Sequence, residues 1–149
     1  MPTPHYDRIK AFMQKVGQAT PEKATIPDKK TRILRAKLIL EEALETVEAL
    51  GVRVHIGGTE VLEEGLVYAD SGQVDLQEVA DGCADISVVT MGTLIAFGID
   101  DEPLLEEVDE SNLRKFGEGS YRREDGKWMK PPGWTPPDIM GAIDRGFGR

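Results

Sequence analysis

The chain has 149 residues, 40% hydrophobic and 30% charged, which fits one folded domain, 1–149, rather than a disordered segment. A formal net charge of −9 argues against binding to a nucleic-acid polymer, because such proteins usually present a basic face. No apolar run reaches the roughly 18 residues that span a bilayer, and no signal-peptide pattern is visible. The single Cys83 fits a reducing compartment. We therefore expect a cytoplasmic protein without a membrane partner.

Hydrophobic periodicity predicts helices in the first third of the chain. A first helix is predicted over residues 6–16 and a second over residues 31–50, and each is followed by a glycine that ends it. Residues 52–74 are less regular. An alternating stretch ends at Gly57-Gly58, and a second apolar run follows at residues 66–69, so a small β-hairpin is predicted between two helices.

Two further helices are predicted after this insertion. The third, over residues 75–97, is apolar almost all round, and we expect such a helix to be buried on every side. The fourth begins at Asp100 or Asp101, has Pro103 in its first turn and ends at Gly117.

The C-terminal part is predicted to be an arm followed by a short helix. Residues 118–133 are rich in Gly and Pro and have no helical period. Thr135 is predicted to cap the last helix, with Asp138 at its third position. The predicted fold class is therefore all-α, a bundle of four to five helices with a small hairpin insertion.

Two acidic motifs lie on the second and third predicted helices. They are Glu41-Glu42-x-x-Glu45 and Glu78-x-x-Asp81, and Asp85 follows one turn later. Helical phase places Glu42 and Glu45 within an apolar face, with Glu41 beside Lys37 in a polar strip. Three acids of the third helix share one face of that helix: Glu78, Asp81 and Asp85.

A chance match to this acidic pattern is usually a solvated helix face. Here the surrounding positions are apolar, and removing an ionised carboxylate from water costs several kcal/mol unless it is paired or bound to metal. The third helix contains no Lys or Arg, and protonating several acids at neutral pH is costly. Hard divalent cations such as Mg²⁺ or Mn²⁺ are therefore the favoured partners of these oxygens.

Basic residues concentrate in a different part of this acidic chain. Residues 114–130 contain six of them: Arg114, Lys115, Arg122, Arg123, Lys127 and Lys130. Such a run is usually a solvated loop, but beside a metal site it would also close over a polyphosphate. Asn112, three residues before Lys115, shares its helix face and is placed to contact a sugar or base. Trp128 and Trp134 are more often packing residues than stacking ones.

These motifs resemble those of the all-α nucleoside triphosphate pyrophosphohydrolases of the MazG type, whose signature is EExxE followed a helix later by ExxD. The chain also resembles a dUTPase-like subgroup, which continues with Asn-x-x-Lys and a DGKxxKPxGW-type tail. Both features are present, as Asn112-Leu-Arg-Lys115 and as DGKWMKPPGW over residues 125–134. The likeness covers about residues 12–139, and the long stretch 52–74 departs from it.

The resemblance implies cleavage of a nucleoside triphosphate, with dUTP among the candidates, between the α and β phosphates to give a monophosphate and pyrophosphate. Two or more Mg²⁺ ions, with Mn²⁺ as an alternative, would activate water. Their implied ligands are Glu42, Glu45, Glu78 and Asp81. Glu41 would orient the attacking water or support the ligands from behind.

The resemblance also implies substrate contacts and an assembly. Phosphate oxygens would be held by Lys115, Arg123, Lys127 and Lys130, whereas Asp85 and Asn112 are candidates for sugar or base contacts. The implied assembly is a homo-oligomer, either a dimer or a tetramer, and the implied role is house-cleaning of nucleotides in the cytoplasm.

Two alternatives remain open at the level of sequence. One is a phosphoribosyl-ATP pyrophosphohydrolase, a related fold with a similar cation site, against which the tail motif argues. The other is a non-catalytic nucleotide-binding or assembly protein that retains the acidic site for structure.

Overall fold

The computed structural model describes residues 1–124 and 128–148, and helices dominate this part of the chain. Its five α-helices are α1 (Pro4–Lys15), α2 (Lys29–Ala49), α3 (Leu76–Ala96), α4 (Asp101–Lys115) and α5 (Ile139–Arg145). Its strands are two residues long and form two antiparallel pairs, β1 (His55–Ile56) with β2 (Thr59–Glu60) and β3 (Tyr121–Arg122) with β4 (Trp128–Met129). The predicted all-α fold is confirmed.

The small hairpin between the second and third helices is also present. Its turn is at Gly57-Gly58, where the sequence places it, but the apolar run at residues 66–69 takes no part in the pairing. A second strand pair, β3 with β4, lies within the arm that was expected to be a plain loop.

Side chains at the starts of four helices determine where those helices begin. Each of them accepts a hydrogen bond from a backbone N–H in the first turn, and these caps are Thr3, Asp28, Asp100 and Asp138. Such a cap contributes about 1 kcal/mol to helix stability. The helices α1 and α2 begin at Pro4 and Lys29, earlier than the predicted residues 6 and 31, directly after their caps Thr3 and Asp28.

The predicted start of the last helix is wrong. Asp138 is the cap of α5 rather than its third residue, and its Oδ1 accepts a hydrogen bond from the Gly141 N–H at 2.9 Å. Thr135 precedes Pro136, which in turn precedes Pro137, and a residue before a proline is disfavoured from helical backbone. Thr135 and Pro136 are therefore disfavoured from helical backbone, and the helix begins after both prolines, at Ile139.

Met1–Lys23 and Ala80–Arg149 together form one compact unit, with α4 packed between α1 and α5. The Phe116 ring, directly after α4, lies 5.2 Å from the ring centroid of Phe12 in α1 and 5.3 Å from that of Trp128 in β4. Both contacts are edge-to-face, the arrangement that aromatic quadrupoles favour. They hold α1 and the β3–β4 pair against the end of α4.

A buried carboxylate joins α1 to α4 in the same unit. Asp109 is only 3% exposed, and its Oδ2 accepts a hydrogen bond from Arg8 Nε at 2.8 Å. The same oxygen lies 2.7 Å from His5 Nδ1. Two further residues of this unit are buried, Ser111 in α4 and Ala142 in α5. The contact stabilises the N-terminal helix because a buried carboxylate without partners is costly.

Ala24–Val79 forms a second compact unit, built on α2. Arg32 donates from Nη1 to Asp70 Oδ1 at 2.7 Å, and this hydrogen bond holds the pKa of Asp70 below its usual value. The Val61 N–H donates to the Val54 carbonyl at 2.8 Å and extends the hairpin pairing. A 3₁₀ turn, Glu63–Gly65, contacts α2. The inserted stretch is thus tied to α2 at several points.

The helix α3 is strongly apolar, yet none of its residues is buried within the chain. Its exposed side chains include Val88 at 67% and Ile95 at 71%. The expectation that this helix is buried on every side is therefore wrong for a single chain. Hydrophobic periodicity indicates that a surface needs cover, but it does not say whether the same chain or another copy supplies it.

The length and composition of α3 also meet the test for a membrane span. It has 21 residues and a mean hydropathy of 1.4, so it is long and apolar enough to cross a bilayer, contrary to the expectation from apolar runs. Its first half carries Glu78, Asp81 and Asp85, and carboxylates inside a bilayer are expensive. One such helix does not indicate a membrane protein.

Replacing Asp109 tests the contact between α1 and α4. Asp109→Ala is expected to lower the free energy of unfolding by roughly 1–3 kcal/mol, because it removes charge-assisted contacts and leaves Arg8 without its carboxylate. Urea unfolding followed by circular dichroism measures the change. Glu110→Ala, at the exposed neighbouring position, is the matched control and should change stability by less than about 0.5 kcal/mol. Equal losses in the two variants would contradict this role of Asp109.

Candidate functional site

The first acidic motif lies in the second half of α2. Glu41 is the most enclosed of its three acids, with a side chain 19% exposed, and its Oε1 lies 3.3 Å from Lys37 Nζ one turn earlier. Glu42 and Glu45 are exposed, and no described residue forms an ion pair with either of them. The predicted pairing of Glu41 with Lys37, apart from the other two acids, is confirmed.

The second acidic motif lies in the first half of α3. Glu78, Asp81 and Asp85 are exposed, and the side chain of Asp75 accepts hydrogen bonds from the backbone N–H groups of Gln77 and Glu78. Asp75 thus satisfies the first turn of α3. Glu78, in that turn, lies where the helix dipole favours a negative charge.

The acids of the two motifs are not buried within the single chain. The cost of desolvation therefore does not by itself require a cation beside them. Within residues 1–124 and 128–148, no three His, Cys, Asp or Glu side chains are grouped so that they could hold a metal ion. A metal site shared by Glu42, Glu45, Glu78 and Asp81 stays a prediction.

The chemistry of the donors nevertheless fits a hard cation. Carboxylate oxygens are the ligands that Mg²⁺ and Mn²⁺ prefer. In the described part of the chain, none of the four predicted ligands forms an ion pair, so their oxygens are not engaged by Lys or Arg. They are available for cations.

Glu63 is a further acid beside Glu41 that the sequence does not single out. It lies in the 3₁₀ turn Glu63–Gly65, and its pKa is raised, first by partial desolvation and then by the negative charge and hydrogen bond of Glu41. A cavity of about 400 Å³ is lined by both acids together with Lys37, Glu64, Leu66 and Tyr68. The only signal in the sequence is the Glu63-Glu64 pair, and without a helical period it could not be placed next to α2.

The basic segment is organised around an indole ring in the first unit. Lys115 Nζ lies 5.3 Å and Lys130 Nζ 4.3 Å from the ring centroid of Trp134. The Trp134 indole N–H donates to the Ser111 carbonyl at 3.4 Å. The structure therefore brings together two of the predicted phosphate-binding lysines.

Three of the other predicted substrate residues lie in the described part of the chain. Asn112 is half-buried on α4, three residues before Lys115 and on the same helix face. Arg123 is exposed and directly follows β3. Lys127 lies outside the described residues. Asp85 is on α3, one turn beyond Asp81.

Residues 9–112 match the family model described as phosphoribosyl-ATP pyrophosphohydrolase. The chain belongs to this family. The match contains α2, α3 and both acidic motifs and ends at Asn112, before the basic segment begins at Arg114. Membership of the phosphoribosyl-ATP pyrophosphohydrolase family makes the protein an enzyme that hydrolyses a pyrophosphate bond of a nucleotide.

A solved structure shares the fold of this family member. It is a protein of Exiguobacterium sp. 255-15 described as a candidate NTP pyrophosphohydrolase, with a TM-score of 0.71, 22% sequence identity, and coverage of 97% of this chain and 96% of that one. Similarity at this level of identity shows the fold alone, and it supports the all-α assignment. The comparison with curated proteins gives no match.

The raised pKa of Glu63 predicts a pH-dependent effect on stability. Because the folded-state pKa lies above the unfolded value, the contribution of Glu63 is present below about pH 4 and is lost as the pH rises through the folded pKa. Glu63→Gln removes the repulsion with Glu41. It should therefore raise the melting temperature of metal-free protein at pH 7 but not at pH 4.

Thermal melts in the presence of a chelator, between pH 4 and pH 8, measure this difference. Glu64→Gln, at the adjacent exposed acid, is the matched control and should show a smaller rise. A Glu63→Gln melting temperature at or below that of the wild type across the whole range would contradict the proximity of Glu63 and Glu41.

Proposed function

We propose that this family member hydrolyses a nucleoside triphosphate between its α and β phosphates, releasing the monophosphate and pyrophosphate. The observation that carries the proposal is the pair of acidic motifs within the family match, on α2 and α3, whose predicted ligands have no basic partner among the described residues. The Exiguobacterium structure is described in terms of NTP hydrolysis, which agrees with a triphosphate substrate.

Four carboxylates are the proposed metal ligands: Glu42, Glu45, Glu78 and Asp81. Bound Mg²⁺, or Mn²⁺, would supply charge neutralisation for the triphosphate and a more acidic water. Glu41 is the proposed group that orients this water and takes up its proton. Its contact with Lys37 and its proximity to Glu63 limit the rotamers of its carboxylate, which a base of defined position requires.

The proposed phosphate ligands are Lys115, Arg123, Lys127 and Lys130. In the described part of the chain, Lys115 and Lys130 share the ring of Trp134 and form no ion pair with a carboxylate, so their positive charge is available to phosphate oxygens. Asp85 and Asn112 are the proposed sugar or base contacts. We favour dUTP within the triphosphates because the tail over residues 125–134 resembles that of the dUTPase-like subgroup.

The proposed assembly is a homo-oligomer, a dimer or a tetramer. The exposed apolar side chains of α3 support it, since exposed apolar surface on this scale marks an interface. A second copy would also bring further carboxylates near those of the first. The proposed setting is the cytoplasm, with a house-cleaning role toward nucleotides.

Phosphoribosyl-ATP is the second candidate substrate, and the family match favours it directly. It carries the same triphosphate, so the acidic motifs and the lysines would serve it equally well. Phosphoribosyl-ATP and dUTP differ in the base and the sugar and not in the bond that is cleaved. Product assays with both therefore decide between them.

Pyrophosphate release from a nucleotide panel tests the proposal. Wild-type protein with Mg²⁺ or Mn²⁺ should release pyrophosphate, and not orthophosphate, from at least one common NTP or dNTP, dUTP included. Phosphoribosyl-ATP is assayed in parallel. Orthophosphate as the product, or tight nucleotide binding without turnover, would contradict the proposal.

Variants connect that activity to the acidic motifs. Glu42→Ala and Asp81→Ala should each lower turnover by at least about 100-fold, since even partners behind metal ligands cost 10–100-fold when lost. Glu48→Ala, an exposed acid on α2 outside the motif, is the matched control and should stay near the wild-type rate. Activity retained in both motif variants would contradict the assignment of the ligands.

A further inference from the structure

Two hydrogen bonds hold Trp134 within the first unit, one from its indole and one from its backbone. Its indole N–H donates to the carbonyl of Ser111, a residue of α4 that is 1% exposed, at 3.4 Å. Its own backbone N–H donates to the Pro131 carbonyl at 3.2 Å, in a turn where Gly133 has a φ of 77°. The ring is therefore anchored to a rigid helix on one side and to a proline-restricted turn on the other.

Two ammonium groups lie near this one ring. Lys130 Nζ is 4.3 Å and Lys115 Nζ 5.3 Å from the ring centroid, within the range in which a cation is attracted to an indole. The lysines come from different segments, one from the last turn of α4 and one from the residues after β4. Without the ring, each would have a long flexible side chain free to point into solvent.

Among residues 1–124 and 128–148, no carboxylate forms an ion pair with Lys115 or Lys130. Two like charges held near one ring repel each other, and an anion between or beside them relieves that repulsion.

We propose that Trp134 is a positioning residue, which holds the ammonium groups of Lys115 and Lys130 ready for the polyphosphate of the substrate. The inference rests on the proposed function, which assigns both lysines to phosphate. It adds that the indole limits the freedom of both side chains before the substrate arrives, so that less entropy is lost on binding.

Replacing the ring should weaken substrate binding more than it slows the chemistry. Trp134→Leu keeps an apolar side chain but removes the π face, and it should raise KM for the nucleotide by roughly 5–30-fold with kcat changed far less. Trp134→Phe keeps a weaker π face without the bond to Ser111, so its KM should lie between those of the wild type and Trp134→Leu. Melting temperatures of both variants establish that they are folded.

A comparison in a lysine-free background separates positioning from packing. In Lys115→Ala/Lys130→Ala, adding Trp134→Leu should change KM by less than about twofold, because the ring acts only through those two side chains. A further KM increase as large as that in the wild-type background would overturn the inference and indicate direct contact with the substrate. Wild-type KM in Trp134→Leu, or equal losses of kcat in the Leu and Phe variants, would overturn it as well.

Inorganic tripolyphosphate separates this inference from the proposed function. Its dissociation constant, measured by isothermal titration calorimetry in the presence of Mg²⁺, does not depend on turnover. Trp134→Leu should weaken tripolyphosphate binding by the same roughly 5–30-fold. Equal affinity of wild type and variant would overturn the role of Trp134 even if the enzyme is active, whereas wild-type binding without pyrophosphate release would overturn only the proposed function.

Discussion

The negative charge of the carboxylates on α2, and of those on α3, has to be offset before either helix can take part in binding a polyphosphate. Lys37 offsets one of them, Glu41, and α3 contains no Lys or Arg. In a single chain the charges are exposed, so water and salt screen them. A triphosphate brought to either set of acids would add several more negative charges. We propose that divalent cations at the acids, together with the lysines around Trp134, supply the missing positive charge.

The periodic features of the fold could be predicted from the sequence because they follow from local chemistry. Glycines that adopt a positive φ, such as Gly17 and Gly98, end α1 and α3 where the apolar period stops. The pairing of Glu41 with Lys37 follows from their spacing of four. The hydrophobic periodicity of α3 shows that its surface is apolar, but it does not show which chain would cover that surface. For this reason the prediction that α3 is buried on every side is wrong for the single chain.

The features that could not be predicted depend on contacts between segments that are far apart in the chain. Glu63 lies by Glu41 because a hairpin and the Arg32–Asp70 contact bring the insertion back to α2. Trp134 meets Lys115 because the turn that ends at Trp134 lies next to α4, where the indole N–H donates to the Ser111 carbonyl. Neither arrangement has a local period. The family match likewise ends before this segment, so it leaves the choice of substrate to residues outside it.

Binding of Mn²⁺ tests most directly whether the two acidic motifs form one site. Electron paramagnetic resonance of the free ion measures binding to the wild type, to Glu42→Ala, to Asp81→Ala and to the double variant. A shared site predicts that either substitution weakens binding by at least about tenfold and that the double variant is little worse than either one alone. Losses that add in full in the double variant, or unchanged binding in all three variants, would contradict the account.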